Sequence, residues 1–190
     1  MQNKRTFIAI KIEPENALSD LFKCLKSSLK NEKIKWVEEN SLHLTLRFLG
    51  ETSQNQSQQV DLVLKKLASE NKSFCFDLCG TGFFGSKNQP KVLFVSVLNK
   101  EILSQFADNL AKSISGFGFH TGEKPFAPHL TLGRIKEIQN SGQFLELVQH
   151  YKNVHFQQVQ VKEIIFYESI LYPAGPVYKP IKTYKLNNSI

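Results

Sequence analysis

The segment SLHLTLRFLG (41–50) is matched later in the chain by APHLTLGRIK (127–136), and both contain the tetrapeptide HLTL. Successive side chains of a β-strand point to opposite faces of its sheet. In each tetrapeptide the two leucines share one face, which suits a hydrophobic core, and the histidine and threonine share the other, which we expect to face a groove. Continued alternation in the first copy places Arg47 on the polar face, as a candidate substrate contact, and Phe48 on the apolar face.

The residues that precede the two tetrapeptides also match. Phe7 lies in a β-rich run 36 residues before His43, and Phe94 lies in a second β-rich run 35 residues before His129. In both cases a segment with apolar residues at helical spacing separates the run from the tetrapeptide. The sequence therefore predicts a repeat of strand, helix and strand. Besides the two HLTL strands, the predicted elements are strands at 6–12, 73–83, 91–98, 154–171 and 177–186 and helices at 15–30, 53–69, 101–116 and 141–151.

These elements predict an α+β fold with two similar lobes in one domain that spans residues 1–190. The segment GSKNQP (85–90) is the predicted junction between the two halves, because glycine and proline interrupt regular structure. The helix over 101–116 is expected to bury Ile102 and the apolar residues that follow it at intervals of four.

Composition limits the class of protein. The 190 residues are 41% hydrophobic, which is enough for a core, and the formal net charge is +7. An excess of positive charge suits a polyanionic partner such as RNA or a nucleotide. The amino-terminal segment lacks the apolar core and cleavage site of a signal peptide, and no run of 18 apolar residues is present. We expect a cytoplasmic protein with no membrane contact, and a monomer.

The three cysteines are Cys24, Cys75 and Cys79. Their odd number and the lack of a CxxC pair favour a reducing compartment over a disulfide framework. Cys75 and Cys79 lie four residues apart on one face of a predicted strand, and we expect both thiols to be buried.

The string HTGEKPF (120–126) matches the linker between successive C2H2 zinc fingers. Such a finger needs two cysteines shortly before its histidine pair. The nearest cysteine upstream of His120 is Cys79, 41 residues away, and no cysteine follows. Four ligands cannot be assembled, so we interpret the string as a loop and predict no metal site.

The two repeated motifs suit chemistry at phosphorus if a pseudo-twofold axis brings their polar faces into one cleft. A neutral imidazole takes a proton from the attacking oxygen, and a protonated one gives a proton to the departing oxygen. His43 and His129 are therefore the candidate acid–base pair. Hydroxyls and a guanidinium stabilise the charge that develops on the non-bridging oxygens, which makes Thr45, Thr131 and an arginine that follows a motif candidate phosphate ligands.

The two motifs and their flanks resemble the 2H phosphoesterases, a family named for its two HxT or HxS motifs. Within that family the chain resembles the RNA 2′,3′-cyclic phosphodiesterases, also called 2′-5′ RNA ligase-like proteins. The paired motifs with these flanks are specific, whereas either motif alone is a weak signal. The matching segments are KRTFIAIKI (4–12), KWVEENSLHLTLRFLGE (35–51), PKVLFVSV (90–97), FAPHLTLGR (126–134) and SILYPAGPVYKPI (169–181).

The resemblance implies a bilobal fold of two antiparallel sheets flanked by helices, with the site in a central groove. It implies hydrolysis of 2′,3′-cyclic phosphate ends of RNA or nucleotides to 2′-phosphomonoesters, without a metal or cofactor, and the reverse 2′-5′ ligation as a further reaction. His43 corresponds to the family's proton donor and His129 to its proton acceptor. The phosphate-holding positions correspond to Thr45, Thr131 and Arg134.

Two other functions are open at this point. The same chemistry could act on a 2′-5′ oligonucleotide or on a cyclic phosphate of an ADP-ribose derivative, and the loops that would decide this are not described by the motifs. A non-catalytic RNA- or nucleotide-binding module would use the groove without needing an acid and a base. Because the two motifs are nearly symmetric, the residues alone leave open which histidine is the acid.

Overall fold

The computed structural model describes residues 3–119, 125–173 and 175–187. The zinc-finger string therefore lies largely outside the described residues. Four α-helices and nine β-strands follow one another in this part of the chain. The helices are α1 (Asn16–Ser28), α2 (Gln54–Glu70), α3 (Glu101–Ile114) and α4 (Ser141–His150). The strands are β1 (Lys4–Lys11), β2 (Lys33–Trp36), β3 (His43–Thr52), β4 (Phe74–Ser86), β5 (Gln89–Leu98), β6 (His129–Glu137), β7 (His155–Val161), β8 (Glu163–Tyr172) and β9 (Gly175–Lys185).

The strands form two sheets. The first sheet has the strand order β3-β1-β8-β9, and the second has the order β2-β6-β5-β4-β7. All neighbouring strands in both sheets run antiparallel. The predicted α+β fold with two antiparallel sheets flanked by helices is confirmed.

The helices bury the faces that their apolar spacing predicts, with one exception in α3. Ile102, the first residue of the expected series, is 55% exposed, and Leu103 is buried instead. A helix turns once every 3.6 residues, so a series taken at intervals of four drifts away from the buried face along the helix. No helix within the described ranges is long and apolar enough to span a membrane.

The loop predicted at 85–90 is present, but it does not separate the two sheets. This segment is the turn of a hairpin between β4 and β5, which are neighbours in the second sheet. Each sheet takes strands from both halves of the sequence, since β1 and β3 share a sheet with β8 and β9 while β2 and β4 join the other. Turn residues mark a reversal of the chain, but they carry no information about which sheet the next strand joins.

Cys75 and Cys79 share one face of β4, as expected, but it is not the buried face. Phe74, Phe76 and Leu78 enter the core, whereas Cys75 is exposed and Cys79 is partly exposed. The prediction of buried thiols is wrong because larger apolar side chains occupy the alternate positions and take the core face.

A small aromatic cluster lies apart from the main core, on the side of the first sheet that faces the groove. Phe7 and Ala9 of β1 pack there against Ile165 and Tyr167 of β8, and Tyr178 of β9 covers them. The main core contains the alternate residues of the same strands, such as those flanking Ala9. The first sheet is therefore apolar on both faces, and its second face supports the candidate site.

Candidate active site

A groove of about 490 Å³ lies between the two sheets. Residues from both sheets line it, including the histidine and threonine of each HLTL motif. The two motifs therefore meet across a common cavity. The lining side chains that bear most directly on chemistry are His43, Thr45, His129, Thr131, Arg134 and Tyr178.

The two histidines are held in the same way. The Nδ1 atom of His43 lies 2.8 Å from the carbonyl oxygen of Ser41, and the Nδ1 atom of His129 lies 2.8 Å from that of Ala127. A carbonyl oxygen only accepts hydrogen bonds, so Nδ1 of each ring carries a proton. Nε2 is then the nitrogen left for proton exchange, as a base when the ring is neutral and as an acid when it is protonated.

His43 packs against the aromatic cluster of the first sheet. Its ring centroid lies 5.1 Å from that of Phe7 and 4.8 Å from that of Tyr178, which it meets edge to face. Phe7 in turn stacks on Tyr167 at 5.1 Å. These contacts fix the plane of the imidazole, because edge-to-face and stacked rings restrict one another.

His129 meets a corresponding pair of rings from the second sheet. Its ring centroid lies 4.8 Å from that of Phe84 and 5.5 Å from that of Phe94. Phe94 lies directly over Gly82, where an added Cβ would come within 2.8 Å of the phenyl ring. The lack of a side chain at Gly82 leaves the space that Phe94 occupies beside the histidine.

A β-bulge follows the threonine of the first motif. In the pairing of β3 with β1, Leu46 is skipped between Thr45 and Arg47. The bulge reverses the alternation, so that Phe48 lines the groove and Arg47 lies opposite the core residue Ile8. The placement of Arg47 on the groove face is therefore wrong, and we do not include it in the site.

The same bulge follows the threonine of the second motif. In the pairing of β6 with β5, Leu132 is skipped just before Gly133. Arg134 consequently lines the groove, in the position that Phe48 occupies in the first motif. Gly133 packs against β2, where an added Cβ would lie 2.7 Å from Cγ2 of Ile34. The bulge thus explains why Arg134 lines the groove, whereas strict alternation would have placed Gly133 there.

The comparisons with known proteins agree with this architecture. The model of a family described as LigT-like phosphoesterase matches residues 10–94 and 97–178. The chain belongs to the LigT-like phosphoesterases. The resemblance to 2H phosphoesterases that the sequence motifs indicated is therefore confirmed.

Individual LigT-like relatives cover nearly the whole chain. A protein of Methanocaldococcus jannaschii named RNA 2′,3′-cyclic phosphodiesterase is 32% identical over 181 residues, which are 94% of this chain and 98% of that one. A protein of the same name from Thermotoga maritima is 33% identical over 180 residues, 92% of this chain and 91% of that one. A crystal structure of a Thermus thermophilus protein superposes with a TM-score of 0.81 at 26% identity and covers 98% of this chain and 100% of that one.

The groove of this LigT-like phosphoesterase is electropositive. Arg5, Lys35 and Arg134 line it, and none of its described lining residues is an Asp or a Glu. The ion pairs seen in the described part of the chain do not involve any of these three cations. Uncompensated positive charge between low-dielectric walls favours an anionic ligand.

The same environment acts on the protonation of His43. Burial lowers the pKa of His43 below its ordinary value, and the positive charges of Arg134 and His129 lower it further, while the hydrogen bond to Ser41 opposes these effects. His43 is therefore biased towards the neutral form. A bound anion opposes that bias, because a negative charge nearby favours the protonated ring.

Tyr178 lies within the electrostatic influence of cations from both sheets. Burial raises the pKa of its hydroxyl, and the positive charges of Arg134 and Arg5 lower it, which places both guanidinium groups within electrostatic reach of the ring. The hydroxyl stays protonated at neutral pH and is available as a hydrogen-bond donor.

Among the groove residues that sequence reasoning missed, four have side chains suited to binding a substrate, namely Arg5, Lys35, Phe48 and Tyr178. Alternation from Phe7 would have placed Arg5 on the groove face of β1. Lys35 lies on the short strand β2, which was not predicted, and Phe48 faces the groove because of the bulge in β3. Tyr178 comes from the distant hairpin of β8 and β9. Among the described residues no group of three or more His, Cys, Asp or Glu side chains is arranged to hold a metal ion.

Proposed function

We propose that the protein hydrolyses the 2′,3′-cyclic phosphate at the end of RNA or of a nucleotide and yields a 2′-phosphomonoester. The observation that carries this proposal is the pair of imidazoles, His43 and His129, that enter one cationic groove from two sheets with Nδ1 of each bonded to a main-chain carbonyl. The relatives from Methanocaldococcus jannaschii and Thermotoga maritima carry the name of this activity, which supports the assignment.

In the proposed reaction a water molecule attacks the phosphorus of the cyclic ester. Nε2 of neutral His129 accepts a proton from the water as its oxygen bonds to phosphorus. The bond between phosphorus and the 3′ oxygen breaks, and Nε2 of protonated His43 gives a proton to that oxygen. The products are a free 3′ hydroxyl and a 2′-phosphate, and each histidine is left in the protonation state opposite to the one in which it began.

The remaining groove residues stabilise charge. The hydroxyls of Thr45 and Thr131 share the groove face with the histidines, and Arg134 joins them through the bulge in β6. We assign all three to the non-bridging oxygens of the phosphate, where negative charge increases in the transition state. Donors fixed in a partly water-excluded site stabilise this charge more than water does.

Assigning His43 as the acid is compatible with the lowered pKa of its ring. The cyclic phosphate is an anion, and its arrival beside the imidazole raises the tendency of His43 to hold a proton. Substrate binding would then supply the protonated acid. Before the substrate arrives, His43 would add little positive charge to the groove.

The proposed chemistry needs no metal, because the two imidazoles supply the proton transfers and Arg134 supplies the positive charge. If the 5′ hydroxyl of a second RNA attacks the cyclic phosphate in place of water, it loses its proton to His129 as the bond to the 3′ oxygen breaks and that oxygen takes a proton from His43, and a 2′-5′ phosphodiester forms. We include this ligation as a secondary reaction of the proposed site.

The proposal is tested by treating the purified protein with EDTA and incubating it with an RNA oligonucleotide that ends in a 2′,3′-cyclic phosphate. Phosphorus NMR follows the terminal phosphate. We expect conversion to a 2′-phosphate, with kcat lowered roughly 100- to 10,000-fold in His43→Ala and in His129→Ala. His150→Ala is the matched control, because His150 is an exposed histidine on α4 and should leave the rate unchanged.

Other results would redirect the assignment. A 3′-phosphate product would retain the phosphodiesterase but exchange the leaving oxygen. Tight binding of the cyclic end without turnover, and unaffected by either alanine variant, would indicate a binding module. Turnover of a 2′-5′ oligonucleotide or an ADP-ribose cyclic phosphate, without turnover of RNA ends, would indicate a different substrate for the same chemistry.

A further inference from the structure

The groove extends beyond the two histidines along β1. Thr45 lies opposite Ala9, and Arg5 lies four residues further along the same strand. At the rise of an extended strand, four residues correspond to about 13 Å between the Cα atoms of Ala9 and Arg5. A ligand that contacts both Arg5 and the motif residues must therefore extend well beyond a single phosphate group.

Lys35 approaches the same end of the groove from the second sheet. It lies opposite Arg134 in the pairing of β2 with β6. Its Nζ atom is 3.0 Å from the position that a Cβ on Gly175 would occupy, so the ammonium group ends beside the first residue of β9. Lys35 thus reaches across the groove from one sheet to the edge of the other.

The pairing of β8 shows that the two cations share one end. Thr6 of β1 lies opposite Glu168, and β8 continues from there past Arg5 to Tyr172, which pairs with Gly175. The hairpin that Lys35 contacts is therefore at the Arg5 end of the first sheet. Both cations are exposed on a groove face and neither takes part in an ion pair within the described residues.

The opposite end of the groove lacks this charge. A cavity beyond His43 is lined by Lys11 and Glu163, and the ammonium group of Lys11 lies 3.0 Å from a carboxylate oxygen of Glu13. The positive charge at that end is neutralised. The two ends of the groove therefore differ in the ligand that they favour.

A cyclic phosphate diester carries one negative charge, and Arg134, which lies close enough to His43 to influence its protonation, is sufficient to neutralise it. Arg5 and Lys35 are additional cations. Glu51 stands opposite Arg5 in the strand pairing, but it does not line the groove and forms no ion pair with it. The groove therefore carries more positive charge than one cyclic phosphate needs.

We propose that Arg5 and Lys35 form a subsite for a second phosphate, the phosphodiester on the 5′ side of the nucleotide that carries the cyclic end. This inference rests on the proposed function and adds the direction in which the RNA strand leaves the groove. The terminal nucleoside then occupies the stretch between the histidines and the two cations, where the 61%-exposed ring of Phe48 and the ring of Tyr178 offer surfaces for stacking.

The test compares three substrates by kcat/KM. They are adenosine 2′,3′-cyclic monophosphate, the dinucleotide ApA with a 2′,3′-cyclic end, and the same dinucleotide with an uncharged methylphosphonate linkage. We expect the charged dinucleotide to exceed the mononucleotide roughly 10- to 100-fold, the range for one charge-assisted contact. The methylphosphonate should lose most of this advantage, because only the charge of the linkage has been removed. Higher salt should reduce the advantage as well.

Each variant is judged by the ratio of its kcat/KM for the charged dinucleotide to its kcat/KM for the mononucleotide. A general effect on the site cancels in this ratio. Arg5→Ala and Lys35→Ala should each lower the dinucleotide-to-mononucleotide ratio, and the double variant should bring it close to one. Lys91→Ala is the matched control, since Lys91 is an exposed lysine of β5 that does not line the groove, and its ratio should equal that of the unmodified protein.

The outcomes separate this subsite from the function on which it rests. Equal turnover of all three substrates would overturn the subsite and leave the phosphodiesterase intact. If the dinucleotide-to-mononucleotide ratio falls in Lys11→Ala but not in Arg5→Ala or Lys35→Ala, the RNA strand leaves at the opposite end of the groove. That result would also overturn the subsite. Failure to hydrolyse any of the three would remove the proposed function and the subsite together.

Discussion

At the scale of single residues, the candidate site depends on how each imidazole is fixed. His43 and His129 use Nδ1 to bond a carbonyl two residues earlier in the chain, and aromatic rings hold the plane of each imidazole. The backbone of each motif thus selects the tautomer of its own histidine. No other side chain is needed to make Nε2 the reactive atom.

The protonation of His43 can be followed directly. Burial and the charge of Arg134 lower its pKa, so its imidazole signals in a histidine NMR titration without phosphate should have a midpoint below 6.5. The ring is then mostly neutral above that midpoint and becomes protonated as the pH falls through it. Adding the product analogue adenosine 2′-monophosphate should raise the midpoint, because the phosphate places negative charge beside the ring.

Arg134→Gln provides the comparison for this titration. Removing the guanidinium charge should move the His43 midpoint upwards, since a nearby cation disfavours a second one. A midpoint above 6.5 in the unmodified, phosphate-free protein would contradict the effect of burial. A midpoint that Arg134→Gln leaves unchanged would show that the arginine is too distant to act on the ring.

At the scale of secondary-structure elements, the main result is the bulge that both motif strands share. Leu46 and Leu132 are the extra residues, and each directly follows the motif threonine. The bulge turns the fifth residue after each histidine towards the groove, where strict alternation would have buried it. Bulges are common beside functional sites for this reason.

Gly133 offers a test of this part of β6. An alanine there would place its Cβ 2.7 Å from Cγ2 of Ile34 and 3.3 Å from the ring of Trp36, so β2 must shift. We expect Gly133→Ala to lower the free energy of unfolding by about 1–3 kcal/mol, as overpacking does. Because Lys35 lies on β2, the dinucleotide-to-mononucleotide ratio of kcat/KM should also fall.

Gly116→Ala is the control for the alanine substitution itself. An added Cβ at Gly116 would meet no atom within 4 Å, so urea unfolding should give a free energy close to that of the unmodified protein or slightly above it. If Gly133→Ala unfolds at the same urea concentration as Gly116→Ala, then β2 can yield at no cost and the packing argument is wrong.

The sequence was a good guide to the elements and a poor one to their irregularities. The spacing of hydrophobic residues predicted the bounds of α1 and the start of β6 closely, because burial of one face of an element imposes that spacing on its residues. The bulges left no trace in the pattern of HLTLRF, since a leucine suits both a regular core position and a bulged one. Arg47 was misplaced for that reason, and Phe48 was assigned to the core.

At the scale of the whole molecule, the order of strands in space differs from the order in sequence. β1 lies between β3 and β8 in the first sheet, so its two neighbours come from opposite halves of the chain. Each half has a strand, a helix and a motif strand in that order, with β2 inserted in the first half, but the second half also supplies β8 and β9 to the sheet of the first. Local signals in the sequence report turns and periods, and they do not report such long-range pairing.

This interleaving predicts that the halves cannot fold separately. Cutting the gene at the turn between β4 and β5 gives fragments 1–87 and 88–190. The cut separates β1 from β8 in the first sheet, and in the second it removes both neighbours of β4 and the one neighbour of β2. We expect poorly dispersed amide NMR spectra for each fragment alone and recovery of dispersion when the two are mixed and refolded. A well-dispersed spectrum from fragment 1–87 alone would contradict the shared architecture.

The bulges bring different side chains to equivalent positions, Phe48 on one wall of the groove and Arg134 on the other. Two imidazoles presented alike have no intrinsic means of distinguishing the two ester oxygens of a ribose, since either ring can stand behind either bond. In the proposed reaction, the regiochemistry of ring opening would therefore depend on how the sugar is oriented between an apolar wall and a cationic one. The choice between the two ester oxygens would then come from the unequal walls around the two imidazoles, and not from the imidazoles themselves.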